Sequence, residues 1–227
     1  MKKVLLLFIV LCGCQLSAQA ILEKPDYAQI EKSISDAASE MYYPKLMDRF
    51  RKGDTTMTLP QRRHLYYGFR FQKSYNPSGI PKEAQTLRTL LQNKPMSDAD
   101  ALEVITIGKK ILTENPFDLR MMNVLLYASE QVKDMALFNT TLGQMKITVD
   151  ALSSSGDGKS KQTAFYVINV SDEYQLLAVL GFQPAGKQSL VDAKYDYLEI
   201  KENPEGIKGL YFEVSPSLDF LGKKLGE

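Results

Sequence analysis

The chain has 227 residues, with 28 basic and 27 acidic side chains, a formal net charge of +1, two cysteines, one histidine and no tryptophan. That balance leaves no basic excess to drive binding to nucleic acid or to an anionic membrane. A single histidine cannot build a multi-histidine metal centre, and nothing in the spacing pairs it with a serine or cysteine nucleophile.

Residues 1–20, MKKVLLLFIVLCGCQLSAQA, have the form of a signal peptide. Lys2 and Lys3 precede an apolar run too short to span a bilayer, and Ala18-Gln19-Ala20 is a small-x-small cleavage pattern. A second processing route is written in the same stretch. Leu11-Cys12-Gly13-Cys14 resembles a bacterial lipobox, in which Cys14 is lipidated and becomes the first mature residue. Cys12 fits that pattern poorly, so cleavage after Ala20 is the favoured reading. Both cysteines lie in the leader, and this cut leaves a mature chain with no disulfide and no thiolate zinc site. It also removes two basic residues and no acid, which leaves 26 basic against 27 acidic. No later apolar run is long enough to cross a membrane.

From Pro25 the spacing Tyr27, Ile30, Ile34, Ala37, Met41 predicts a helix, broken at Tyr42-Tyr43-Pro44. A short helix from Lys45 to about Arg51 stops at Gly53-Asp54. Thr58-Leu59-Pro60-Gln61 starts the next, which runs through RRHLYYGFRFQKSY and carries Gly68 in its interior. Glycine there costs about 1 kcal/mol relative to alanine, so a close approach by another helix or a bulky ring is expected. Asn76-Pro77-Ser78-Gly79 is a turn, and Pro81 opens a helix with Ala84, Leu87 and Leu91 that ends at Lys94-Pro95. Ser97 caps the helix of Ala101, Ile105, Gly108 and Leu112, with Asp98 and Asp100 in its first turn. Residues 109–152 then supply the central layer. The helix after Asn115-Pro116-Phe117-Asp118 is apolar on two sides, and the next one carries Met135, Phe138, Leu142, Met145, Val149 and Leu152 as one stripe at spacings of 3 and 4.

The pattern changes at residues 153–161, SSSGDGKSK, a polar connector that sets the boundary between a helical region, 21–152, and a C-terminal unit, 162–227. QTAFYVINV, residues 162–170, reads as a strand. Ser171-Asp172-Glu173 starts a short helix through Leu180. Extended runs follow around residues 188–200 and 209–214, then a short helix from Ser217. The expected fold is α+β: a multi-helix, repeat-like bundle, then a small unit with an antiparallel sheet packed against it.

Gly158-Lys159-Ser160 ends like a phosphate-binding loop, but Ser153 stands where the first glycine is needed and the strand–helix order is reversed. A turn into the first strand is the reading that remains. His64, Tyr67 and Phe71 share a helical face with Gly68 and form the candidate ligand or packing face; a half-buried, hydrogen-bonded His64 is the expected arrangement. Of the acid pairs, Asp98/Asp100 and Asp172/Glu173 sit at helix starts, where capping and the dipole explain them. Asp192/Asp196 lie in a tyrosine-rich run, and whether any pair converges, as a glycosidase requires, is not a matter of sequence spacing. The tyrosines suit a carbohydrate or peptide groove, or the edges of a core.

Residues 111–118, ILTENPFD, are similar to the turn between tetratricopeptide repeats, though no second copy appears at that period. The wider resemblance is carried by His64-Leu65-Tyr66-Tyr67-Gly68, by Asn115-Pro116-Phe117-Asp118-Leu119-Arg120 with Leu125-Leu126-Tyr127, by Gly156-Asp157-Gly158 through Thr163-Ala164-Phe165-Tyr166-Val167, and by Gly209-Leu210-Tyr211-Phe212. In this order they resemble an uncharacterised family of exported Bacteroidetes proteins, a domain of unknown function. The resemblance implies export and supplies no activity, cofactor or catalytic residue. In such bacteria Asp-Ser/Thr followed by an apolar residue or Thr is an O-glycosylation pattern, and Asp54-Thr55-Thr56 matches it, with Thr55 as acceptor.

The expectation is therefore a non-catalytic binding module, periplasmic or on the cell surface, whose partner is a protein, peptide or glycan, with no cofactor and no metal. The alternative is a hydrolase that acts on carbohydrate or peptide through carboxylates. The absence of a metal or nucleophile constellation favours the first.

Overall fold

The computed structural model describes residues 22–92 and 95–226. The expected leader, with Cys14 and the cut after Ala20, lies outside the described residues, as does Lys94 of the expected helix stop. The described residues form nine α-helices and a four-stranded sheet, an α+β fold. The helices are α1 (Tyr27–Ser35), α2 (Tyr43–Arg51), α3 (Leu59–Gly68), α4 (Ala84–Gln92), α5 (Asp98–Glu114), α6 (Leu119–Gln131), α7 (Met135–Ser153), α8 (Ser171–Val179) and α9 (Ser215–Leu225). The strands are β1 (Phe165–Tyr166), β2 (Pro184–Val191), β3 (Tyr195–Ile200) and β4 (Gly209–Glu213). Among the described residues every strand follows α7, as the change in apolar period indicates.

Side chains fix the helix starts. Thr58 and Ser97 each accept a bond from the amide three residues on, and Gln61 and Asp100 reach back to close capping boxes. Asp26, Asp118 and Asp134 cap α1, α6 and α7 in the same way. Two helices stop earlier than their apolar spacing suggests. α1 ends at Ser35 because Asp36 and Ser39 take the amides of Ala38 and Met41 into local turns, which compete with the helix ladder. α3 ends at Gly68 and continues as a tight 3-10 turn over Phe69–Phe71. A methyl group at Gly68 would lie 3.0 Å from Ile34 of α1 and 3.4 Å from the Tyr43 ring, so the close approach comes from both a helix and an aromatic.

The C-terminal unit departs further from expectation. Of residues 162–170 only Phe165 and Tyr166 pair as a strand, since Ser160 caps a 3-10 turn at Lys161–Thr163 first. The run 188–200 is not one strand but the hairpin β2–β3, turned by Asp192 and Ala193 at φ of 54° and 49°. The sheet order is β1-β4-β3-β2; β4-β3-β2 are antiparallel and β1 joins β4 in parallel. Along β3 the inner residues Asp196, Leu198 and Ile200 are buried, while Tyr195, Tyr197 and Glu199 alternate onto the outer face.

Two apolar cores hold the chain together. The larger takes residues from α1, α2, α3, α6, α7 and the sheet, so Leu46, Leu65, Ile147, Leu198 and Phe212 belong to one cluster. The smaller lies among α4, α5 and α6, around Val104, Ile107 and Leu125. The division between cores therefore falls inside the helical region, and the C-terminal unit shares the larger core. The connector is correspondingly drawn in: Ser154, Ser155, Gly156 and Gly158 are buried. Gly156 lies against the carbonyls of Thr163 and Ala164, where a side chain would clash.

α7 does not cover its whole stripe. Met145, Val149 and Leu152 join the larger core, but Met135 and Leu142 are 51% and 47% exposed. The residues buried along this helix include Thr141, Gly143, Ile147 and Thr148, because Gly143 brings it into backbone contact with Gly53 and rotates the stripe outward. On α6 the side with Met121, Leu125 and Ala128 and the side with Leu119 and Met122 are buried, while Leu126 is half-buried.

Candidate functional site: an acid-floored cleft

A cleft of about 770 Å³ opens where the turn between α5 and α6, the loop at residues 74–81 and the segment from β1 to α8 meet. Its volume is in the range of small-ligand sites. Phe117 and Asp118 come from the α5–α6 turn, Arg120 from the first turn of α6, Asn169 from the segment before α8, and Ser171 and Asp172 from its first turn. The helix α6 begins at Leu119 because Asp118 accepts a 2.8 Å bond from the amide of Met121, and this cap places the carboxyl at the cleft wall.

Tyrosines fasten the segment beneath the cleft. Tyr66 donates a 2.5 Å hydrogen bond to Asp172 Oδ2 and accepts one of 3.2 Å from the Ile168 amide. Tyr75 donates to the Ile168 carbonyl at 2.6 Å. Tyr67 sits deeper, its hydroxyl 3.3 Å from the carbonyls of Ala151 and Tyr166. The strand-to-helix segment is thus fastened to α3 and the loop after it, so the C-terminal acids are held in fixed positions. Phe117 packs against Phe50, Tyr66 and Phe69 at ring separations of 5.0, 5.5 and 5.4 Å and fills the space beneath the cleft.

Asp172 is only 3% exposed. Burial pushes its carboxyl up to about 8; the Tyr66 bond opposes that rise and the negative charge of Asp118 adds to it. At neutral pH it is a protonated acid, able to donate a hydrogen bond where an ionised carboxylate only accepts. Burial also raises Asp118, against the pull of the Met121 amide. Arg120 brings an exposed guanidinium to the same rim.

Behind Asp172, on the inner face of the sheet, a second buried pair ties α8 to the hairpin. Gln188 Nε2 donates to Asp196 at 2.6 Å and reaches Glu173 at 3.5 Å, while Tyr174 donates to Gln188 Oε1 at 2.6 Å. Burial, then the charge of Asp196 and a hydrogen bond shared with it, raise Glu173 to about 9. Asp172 and Glu173 are therefore not helix caps. The residue at the cap position is Val170, and both side chains turn inward. The Asp192/Asp196 pair is split by its turn: Asp192 is exposed and 2.7 Å from Lys161, and Asp196 is buried.

His64, Tyr67 and Phe71 do not line the cleft. His64 is half-buried on α3 with Nδ1 2.8 Å from the Pro60 carbonyl. Tyr67 is fully buried, and Phe71 packs edge-on to Tyr27 at 6.4 Å. Thr55 is exposed between α2 and α3; its carbonyl accepts from Arg62, and the neighbouring Asp54 is held by Arg49 and Thr56. Thr56 and Arg49 keep that carboxyl down at about 2. Among the described residues no group of three or more His, Cys, Asp or Glu is placed to hold a metal, and no helix is long and apolar enough to cross a membrane.

The cleft gathers residues from separate stretches of the chain. Asp118 and Arg120 come from one of the motifs that carry the family resemblance, and Tyr66, which holds Asp172 from beneath, from another, while Asp172 lies outside them all. No curated protein and no solved structure matches the chain. A family model described as a domain of unknown function, DUF4919, matches residues 28–222, from α1 to α9, and the chain belongs to that family.

Proposed function

We propose that this chain is an exported, non-catalytic binding module of a Bacteroidetes cell envelope, whose ligand sits in the cleft floored by Phe117, Asp118 and Asp172. Export rests on residues 1–20, with cleavage after Ala20 and acylation at Cys14 as the competing route. The observation that carries the binding role is the placement of Asp172, a buried acid held by Tyr66, on one cleft lining with Arg120, Asn115 and Asn169. Donors and acceptors of this kind, over an apolar floor, suit the hydroxyl and amide groups of a glycan or peptide. The test is calorimetric titration of the mature protein with neutral oligosaccharides and short peptides. Binding that weakens at least tenfold in both Asp172→Asn and Arg120→Ala supports the reading; unchanged affinity in both overturns it.

One feature favours a second reading, a carboxylate-dependent hydrolase. Asp118 and Asp172 line the same cleft, and Asp172, raised to about 8, is the carboxyl that could serve as a general acid at neutral pH. Product analysis of the same ligands separates the two. Cleavage abolished by Asp172→Asn, with binding retained, establishes the hydrolase.

A further inference from the structure

The outer face of the sheet is built around three tyrosines. Tyr195 and Tyr197 alternate onto it from β3, and Tyr211 of β4 lies directly across from Tyr197. The Tyr197 and Tyr211 rings stand 4.7 Å apart at 45°. Gly209 makes this arrangement fit: a methyl group there would lie 2.4 Å from Tyr197 Cζ and 2.6 Å from its hydroxyl. The ring therefore lies across β4 in space that any side chain would take. All three rings are half-buried, so part of each remains at the surface.

From Tyr197 a groove of about 560 Å³ runs along the end of β3, walled by Glu199, Ile200, Glu202, Ile207 and Lys208. The charges around the rings are largely neutralised in pairs. Lys161 meets Asp192 at 2.7 Å, Lys194 meets Glu213 at 3.5 Å, and Lys187 meets Glu199 at 3.7 Å. Such a surface has no net field to gather an anionic partner. It offers polar aromatic rings with carboxylates beside them. That combination matches a sugar ring, whose C–H face packs on an aromatic while its hydroxyls donate to carboxylate oxygens. A peptide that extended the sheet would instead use the main chain at the edge of β2, away from these rings.

We propose that this face is a second binding site, independent of the cleft, which takes a neutral glycan on Tyr197 and Tyr211. The experiment is affinity electrophoresis of the mature protein through gels containing konjac glucomannan, xyloglucan or arabinoxylan, with polygalacturonate as an anionic control. Retardation by at least one neutral polysaccharide is expected, insensitive to salt and weakened at least tenfold in Tyr197→Ser and in Tyr211→Ser. In a parallel measurement that needs no variant, that polysaccharide should protect Tyr197 and Tyr211 of the wild-type chain from nitration by tetranitromethane. The proposal is overturned by no retardation in any neutral gel, by retardation only in polygalacturonate, or by a retarded protein whose Tyr197 and Tyr211 stay unprotected.

Discussion

In the helical region four acids sit at helix starts. Asp26, Asp118 and Asp134 each hold an amide three residues on, and Asp100 completes a capping box. In the C-terminal unit the acids go inside instead: Asp172, Glu173, Asp196 and Glu213 are all buried. Both regions contribute to one apolar core, so the difference is not one of packing. Caps stabilise a fold at little cost, whereas a buried acid is expensive unless it is bonded or protonated. Of the four buried acids, Asp172 carries that cost at the lining of a cleft, where a carboxyl shifted by burial and a charged neighbour marks a candidate functional site.

The contrast is tested most severely by asking whether the two regions unfold together. Phe117 packs on Phe50 and Phe69 of the helical region and on Tyr66, which holds Asp172. Phe117→Ala should cost about 3–5 kcal/mol and leave a single urea transition. Two separate transitions, in wild type or variant, would show that the C-terminal unit folds by itself and that the shared core contributes little.

The next effect in size belongs to the link between the regions. Tyr66→Phe removes the hydroxyl that Asp172 and the Ile168 amide both use, and leaves two buried groups unpaired. About 1–3 kcal/mol is expected for each group left unpaired. Hydrogen exchange should locate the loosening at residues 167–173, and protection there equal to wild type would mean that the tyrosine holds nothing in place.

Much of this was legible in the sequence where the cause is local. The Thr58 and Ser97 caps follow from residue spacing, and the close approach at Gly68 from the cost of glycine within a helix. What the sequence concealed depends on distant partners. Asp172 looks like an ordinary helix-start acid, and its burial is decided by Tyr66, 106 residues away. Periodicity identifies the α7 stripe, but no periodicity tells whether a neighbour covers Met135 and Leu142. The β2–β3 turn escaped because Asp192 and Ala193, rather than glycine or asparagine, take the left-handed conformation.

A pH series sharpens the contrast between capped and buried acids. In the unfolded chain Asp172 and Glu173 ionise near pH 4. In the fold they keep their protons up to about 8 and about 9. Between those limits the native state binds more protons than the unfolded one, so stability falls as pH rises. Their contribution is complete below about pH 4 and gone above the folded values, with a slope of at most about 1.4 kcal/mol per pH unit for each group. Urea midpoints measured from pH 4 to 9 should decline. Asp172→Asn and Glu173→Gln should each flatten the decline, and a wild-type midpoint that rises over this window would refute the protonated assignment.

The smallest expected effect is at His64, which does not line the cleft. Its Nδ1 bonds the carbonyl of Pro60, four residues earlier in the same helix, and the ring is half-buried. A carbonyl near a helix start is also engaged by the helix ladder, so losing the ring leaves no buried group without a partner. His64→Ala should therefore lower stability by no more than about 1 kcal/mol and leave every ligand affinity at the cleft unchanged. If the variant keeps its melting temperature yet loses affinity, His64 belongs to a binding surface on α3. The helical region would then contribute a recognition surface beyond Phe117, Asp118 and Arg120 at the cleft.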